Sequence, residues 1–425
     1  IASGGNYNTV VGDEAGTALT TGDGNVAVGF EALATEDADG SNTAIGYRAL
    51  KVLNAGAEGY NVAVGTDAGL SMTLGIQNTL VGNKAGDALT DADFNVAVGR
   101  SSLTSDTLGS KSTAVGHGTL NTQNFTSATD SFNTAVGYQA GAAVTTGIKN
   151  TLIGSVAGDA LTDADFNVAV GDFALSADTL GSRSVAIGRA ALTSQNFTTA
   201  TDTYNVAVGY DAGVSVTTGT LNTLIGGLAG DALNTGLQNT ALGYVALSAD
   251  TKGQGAVALG YGALFSQNFT TATANYNTAV GYNAGTAVTT GIQNTLMGGL
   301  AGDALTDADS NVAVGYLSLS TNVLGSRNTA VGESALFATN PDSASNTYNT
   351  ALGYHAGRLI STGVQNTIMG GLAGDAITTG NYNVAVGDGS LGSNTTAASN
   401  TAVGQAALQN NTTGATNVAI GRNSL

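Results

Sequence analysis

The chain has 425 residues, among them 62 glycines, one proline and neither cysteine nor tryptophan, and 42% of it is hydrophobic. A net charge of −18 with only 12 basic residues leaves no footprint for nucleic acid or an anionic membrane surface, and the missing cysteines exclude disulfide and thiolate chemistry. No apolar run reaches the ~18 residues that a membrane-spanning helix needs, and the apolar content is too high for disorder yet too small-sided for a thick core.

Read from the first residue, a short motif recurs, opened in most copies by Asn. The opening position falls at Asn8, Asn25, Asn42, Asn61, Asn78, Asn95 and Ser112, then at Asn133, Asn150, Asn167 and Ser184. It continues through Asn205, Asn222, Asn239, Ala256, Asn277, Asn294, Asn311, Asn328, Asn349, Asn366, Asn383, Asn400 and Asn417, making 24 copies. Most copies follow one another in a 17-residue step; Asn42 to Asn61 is a step of 19, and every fourth step from Ser112 to Asn349 is one of 21. Three steps of 17 and one of 21 make a 72-residue superrepeat. Beginning at Ile1 and ending inside the pattern, the chain reads as part of a longer protein, a single continuous array over residues 1–425 with no separate globular domain.

Counting the opening residue as slot zero, slot one is Thr or Val in all 24 copies, slot three is always Val, Ile, Leu or Met, and slot four is always Gly. Slot two is Ala in 18 copies and a larger aliphatic in six, namely Val10, Leu80, Leu152, Leu224, Leu296 and Ile368. Slot seven is small, and slot eight runs Gly, Gly, Leu, Leu. A β-branched run closed by Gly reads as a short strand and a turn, with the glycine at φ > 0 or at a corner too tight for a Cβ. Thr145–Gly147 and Thr289–Gly291 signal a second turn, so each repeat is expected to hold about two short strands. Helical periodicity is absent.

Such a repeat cannot bury its own apolar face, but a stack of them can. The expected fold is therefore all-β, a parallel β-roll or β-solenoid of about 24 rungs, extending about 115 Å at ~4.8 Å per rung. A coil of two repeats per turn is the structural alternative. Asn133, Asn205, Asn277 and Asn349 are expected to stack as a polar ladder, with Gly137, Gly209, Gly281 and Gly353 at the corners. Slots one and three lie on one strand face and slot two on the other, and all three are apolar enough for burial. One face lines the coil; the other calls for a sister chain, so a homotrimeric fibre is expected.

The residues that carry this pattern also resemble known families. "NVAVG" followed by "xxA" (Asn61–Ala68, Asn205–Ala212) and "SVAIGRAAL" (Ser184–Leu192) resemble the head repeats of trimeric autotransporter adhesins, which implies a left-handed parallel β-roll of three chains wound side by side. The longer form "NTAVGYxAG…TTGxxNTLIG" is similar to the repeat arrays of bacteriophage tail fibres, many of which precede a self-cleaving chaperone domain. The resemblance covers essentially the whole chain, although its 17-residue repeat and 72-residue superperiod depart from the adhesin pattern. It implies a virion or extracellular fibre segment with a host-surface glycan or protein receptor as partner. The expected role is a phage tail-fibre shaft, with a bacterial surface adhesin and a polysaccharide-degrading tailspike as alternatives.

The chemical inventory is poor. His117 and His355 sit in turns beyond the slot-four Gly, outside any Ser/His/Asp arrangement. Asp87, Asp91 and Asp93, with Asp159/Asp163/Asp165 and Asp303/Asp307/Asp309, form acidic turns that could offer oxygens to Ca²⁺ or a glycosidase pair. They match no calcium-binding signature, and equivalent turns at Gly230–Gly236 and Gly374–Gly380 lose the acids. No catalytic residue, metal site or cofactor is expected. All 14 Tyr fall just before slot zero or at slot five, Tyr138, Tyr210 and Tyr282 among the latter; they seal turns or offer a ledge to sugars. The long steps carry inserted loops, with Phe125, Phe197 and Phe269 in one position, expected to pack on a neighbouring chain or touch a partner.

Overall fold

The computed structural model describes residues 5–38 and 40–425. The chain falls into two units, Ile1–Asp211 and Ala212–Leu425. In the first, twelve three-residue strands from Thr9–Val11 to Val206–Val208 fall on slots one to three of the twelve repeats. In the second, twelve more run from Thr223–Ile225 to Val418–Ile420. Among the described residues there is no helix, and therefore none long and apolar enough to cross a membrane.

Within each unit every strand is parallel to the next and in strict slot register. Thr134, Ala135 and Val136 pair with Thr151, Leu152 and Ile153, and Thr278, Ala279 and Val280 pair with Thr295, Leu296 and Met297. One turn of the coil is therefore one repeat, which excludes the two-repeat coil. The fold is a parallel β-solenoid of about 24 turns counted over both units, with one repeat to each turn.

The expectation of two strands per repeat is corrected to one. Among the described residues second strands form only at the long steps, where Gly109–Ser110 pairs with Thr129–Asp130 and Gly253–Gln254 with Thr273–Ala274. The rest of each turn is made of left-handed corners. Besides the slot-four glycine, the residue before slot zero and those at slots six and eight have positive φ, as at Lys149 (58°), Gln139 (53°) and Leu120 (47°). A left-handed residue ends an extended run, so only a three-residue strand remains. Each corner also zips to the adjacent turn: the Gln139 N–H donates to the His117 carbonyl at 2.9 Å and the Lys149 N–H to the Ser131 carbonyl at 2.7 Å.

The slot-four glycine meets both requirements read from the sequence. Gly137 has φ 138°, and a Cβ there would lie 2.6 Å from the Gly154 carbonyl carbon. Gly209, Gly281 and Gly353 share this conformation, at 145°, 140° and 141°.

The core is thin, as the small side chains require. Ala135, Leu152, Ala140, Ala157, Val144 and Leu161 are completely buried. The Gly/Leu order at slot eight follows from volume. A Cβ on Gly141 would lie 2.7 Å from a δ-carbon of Leu152, and one on Gly158 equally close to the other. Where slot two is Leu, slot eight of the same turn and of the turn before must be empty. Where slot eight is Leu, as at Leu120 and Leu175, slot two is Ala114 or Ala169.

Candidate functional site

The Asn residues form the expected ladder. The Asn150 N–H donates to Oδ1 of Asn133 at 2.9 Å, and the Asn167 N–H to Oδ1 of Asn150 at 3.0 Å. The amide nitrogens reach sideways, Asn133 Nδ2 to the Gly147 carbonyl at 2.7 Å and Asn150 Nδ2 to the Ala164 carbonyl at 2.8 Å. In the second unit Asn277 and Asn349 receive the N–H groups of Asn294 and Asn366 at 2.9 and 3.0 Å. Asn205 donates its Nδ2 to Gln195 Oε1 at 2.8 Å. All are buried. A buried backbone N–H needs an acceptor, and the ladder supplies one per turn at a slot that the strand hydrogen bonds miss.

At the long steps the ladder is rebuilt around an internal acid that the sequence reading passed over. Slot eleven is apolar in 12 turns (Val144, Leu161, Leu233 and Leu305 among them) but Asp106, Asp178 and Asp250 in three, and the same slot of the next turn holds Gln123, Gln195 or Gln267. All six are completely buried. Asp106 accepts from Gln123 Nε2 at 2.6 Å and from the N–H groups of Phe125 at 3.1 Å and Gly109 at 3.0 Å. Gln123 Nε2 also donates to the Ser112 hydroxyl at 2.8 Å, while Gln123 Oε1 accepts from Asn133 Nδ2 at 2.8 Å. The N–H groups of Asn133, Asn205 and Asn277 go instead to side-chain oxygens of Ser131, Thr203 and Asn275, at 3.4, 3.3 and 2.9 Å. The inserted loop thus supplies the acceptor and the glutamine takes the amide, and slot zero can be Ser112, Ser184 or Ala256. Burial pushes the Asp250 carboxyl above the ordinary carboxylate range, against the pull of the Gln267, Phe269 and Gly253 donors. The signal was present in the sequence, a carboxylate at slot eleven of three superrepeats, but Asp followed by Thr-Leu-Gly or Thr-Lys-Gly reads as a turn.

The three phenylalanines correct the surface expectation. Phe125, Phe197 and Phe269 are only 5–7% exposed. Each backbone N–H is held by the acid, and the Phe125 ring packs over Gly109, where a Cβ would come within 2.7 Å of it. They close the chain's own loop over the buried carboxylate and present nothing to a partner.

In the acidic turns the third Asp is likewise committed to the chain. Asp93, Asp165 and Asp309 each accept a backbone N–H from the adjacent turn at 2.8 Å, from Ile76, Ile148 and Ile292. Asn381 does the same for Val364 without a charge. Burial lifts the carboxyls of Asp87, Asp159 and Asp303 above their ordinary range. Among the described residues no three His, Asp or Glu converge as metal ligands. His117 stacks on Tyr138 with ring centres 5.5 Å apart, and His355 on Tyr354 at 3.8 Å.

What each unit leaves uncovered is the outer face of its sheet. Slot two is fully buried while slots one and three stay partly open, as the pattern iBi repeats from strand to strand. Ile153, Leu242, Met297 and Leu352 are among the exposed slot-three residues. Flanking them, Tyr138, Tyr210 and Tyr282 at slot five are more than half exposed, and Tyr244, Tyr261 and Tyr282 stack in sequence at 5.8 and 5.4 Å. On the other flank, cations alternate with rings: Lys149 lies 5.0 Å and Arg183 4.8 Å from the Phe166 ring centre. The result is an apolar ribbon edged by aromatics in each unit. Compared with models of known protein families the chain matches none, and no curated protein shows significant similarity to it.

Proposed function

We propose that this chain is a shaft or adhesive segment of a fibre displayed on a virion or a cell surface, built from three copies packed side by side. The observation that carries the proposal is the uncovered sheet face. A contiguous apolar ribbon is costly to leave in water and marks an interaction site when it exceeds a few hundred Å². The ribbon repeats with each turn, so the partner that fits it along its length is a surface with the same repeat, a second and third copy. The work of such a segment is geometric: stacked turns hold a tip at a distance from the particle, and the aromatic edges lie where a host receptor reaches them.

The closer likeness of the longer motif to phage fibre arrays favours a tail fibre over a bacterial surface adhesin; both fit the same architecture. Asp93, Asp165 and Asp309 of the acidic turns are engaged by backbone N–H groups, a structural use of these acids, and the polysaccharide-cleaving alternative is separated by the fate of the capsule. Attachment is tested by incubating fluorescently labelled protein with a panel of bacterial strains. Saturable binding to some strains, with the capsule left intact, is the expected result; no binding to any strain, or binding with capsule loss, overturns this role.

A further inference from the structure

We propose that a cleft over Gly262 binds one neutral, hydroxylated sugar ring. The cleft has a volume of about 230 Å³ and is lined by Val245, Tyr261, Gly262, Phe265, Asn283 and Thr286, all within the second unit. As an attachment point it rests on the adhesive reading above; as a binding site it is tested independently.

Three residue choices in successive turns create it. Slot six is a left-handed corner, and in the turn opened by Ala256 that slot is Gly262, at φ 61°. The turns before and after fill slot six with Val245 and Asn283. Without a side chain at Gly262 the floor drops, and Oδ1 of Asn283 leans over the space a Cβ would occupy. Slot nine is Phe265, 43% exposed, where the neighbouring turns carry Ser248 and Thr286. Tyr261 is stacked on both faces by Tyr244 and Tyr282, which leaves it only an edge to offer, and Phe265 is the other aromatic ring of the lining.

A sugar ring presents a face of C–H groups and a rim of hydroxyls. The C–H face suits an exposed aromatic ring, whose π-face is the negative side of its quadrupole. Hydroxyls both donate and accept, as do the Asn amide and the Thr hydroxyl. Among the described residues nothing holds the Asn283 amide or the Thr286 hydroxyl by a hydrogen bond. No lining residue is charged and the chain's net charge is −18, which disfavours an anionic sugar. The volume equals roughly seven or eight waters at ~30 Å³ each, room for one ring. The set occurs once: the corresponding slots elsewhere hold His117/Gly118/Asn121, Arg189/Ala190/Thr193 and Glu333/Ser334/Phe337.

Saturation-transfer NMR on the intact protein, with glucose, galactose, mannose, rhamnose and N-acetylglucosamine as probes and glucuronate as the charged control, tests the site. At least one neutral sugar is expected to receive saturation, strongest on the C–H protons of one ring face, and glucuronate is not. Phe265→Ala and Asn283→Ala, and Thr286→Val as the shape-preserving variant, each weaken binding about three- to tenfold, with melting temperature unchanged. No transfer to any neutral sugar, equal transfer to glucuronate, or binding unaltered in all three variants overturns the proposal. Mass in solution, measured on the same samples, separates the two readings. A trimer that ignores sugars removes the cleft and leaves the fibre; a monomer that binds them removes the fibre and leaves the cleft.

Discussion

At the scale of single residues the fold depends on buried polar groups that have no alternative partners. Replacing Asn150 with Ala leaves the Asn167 N–H and the Ala164 carbonyl unpaired inside the coil. A loss of about 1–3 kcal/mol is expected, read as faster hydrogen exchange at the Asn167 amide and as a lower denaturation midpoint. Asp250 behaves oppositely to a salt-bridged carboxylate. Its folded-state pKa is raised by burial, so the folded chain holds the proton more tightly than the unfolded one. Its contribution is fully present below the unfolded value and is lost as pH rises through the folded value. Stability measured against pH, for the wild type and Asp250→Asn, should show the gap shifting in favour of the variant as pH rises above the ordinary carboxylate value of about 4; parallel curves would refute the assignment. Asn322 and Asn394 already occupy that slot in later superrepeats. These residues also mark the limit of sequence reading. The Asn ladder and the slot-four glycine were legible because one residue type served one geometry in copy after copy. Left-handed corners at Lys149, Gln139 and Leu120 were not, since nothing in those side chains announces a positive φ, which costs ordinary residues of order 1–3 kcal/mol.

At the scale of one turn, stability is a matter of shared volume. Slots two and eight compete for a single space, so Leu152→Ala should open a cavity and cost about 2–5 kcal/mol, while Gly158→Leu should clash with Leu152. The two together recreate the arrangement seen in the turn of Ala44, Leu50 and Leu53, all fully buried. The double variant is therefore expected to unfold at a higher temperature than either single variant, by a double-mutant cycle; additive losses would show that the slots are independent. This coupling was visible in the sequence as the Gly, Gly, Leu, Leu order, but its cause needed the side chains in place. The second strand per repeat was a misreading for the same reason: Thr-Thr-Gly signals a turn, yet the residues beside it are corners.

At the scale of the whole molecule, repetition turns small asymmetries into continuous surfaces. One exposed Val, Ile, Leu or Met per turn is unremarkable on a globule; set in parallel register over the twelve strands of a unit it becomes a ribbon. The alternation of apolar side chains on both strand faces made that ribbon legible before the coil was seen, while the Gly262 cleft was not, because it arises from three turns meeting at one corner. The Phe residues of the inserted loops show the converse. They are apolar and periodic, yet they serve the interior: each packs in the chain's own loop while its backbone N–H gives the buried acid a hydrogen bond in place of water.

The proposed covering of the slot-three face by copies of this chain is tested most directly by the mass of the purified protein, measured by light scattering at micromolar concentration. Three chain masses are predicted, independent of dilution over that range. A particle of one chain mass, soluble with the ribbon bare, would contradict it.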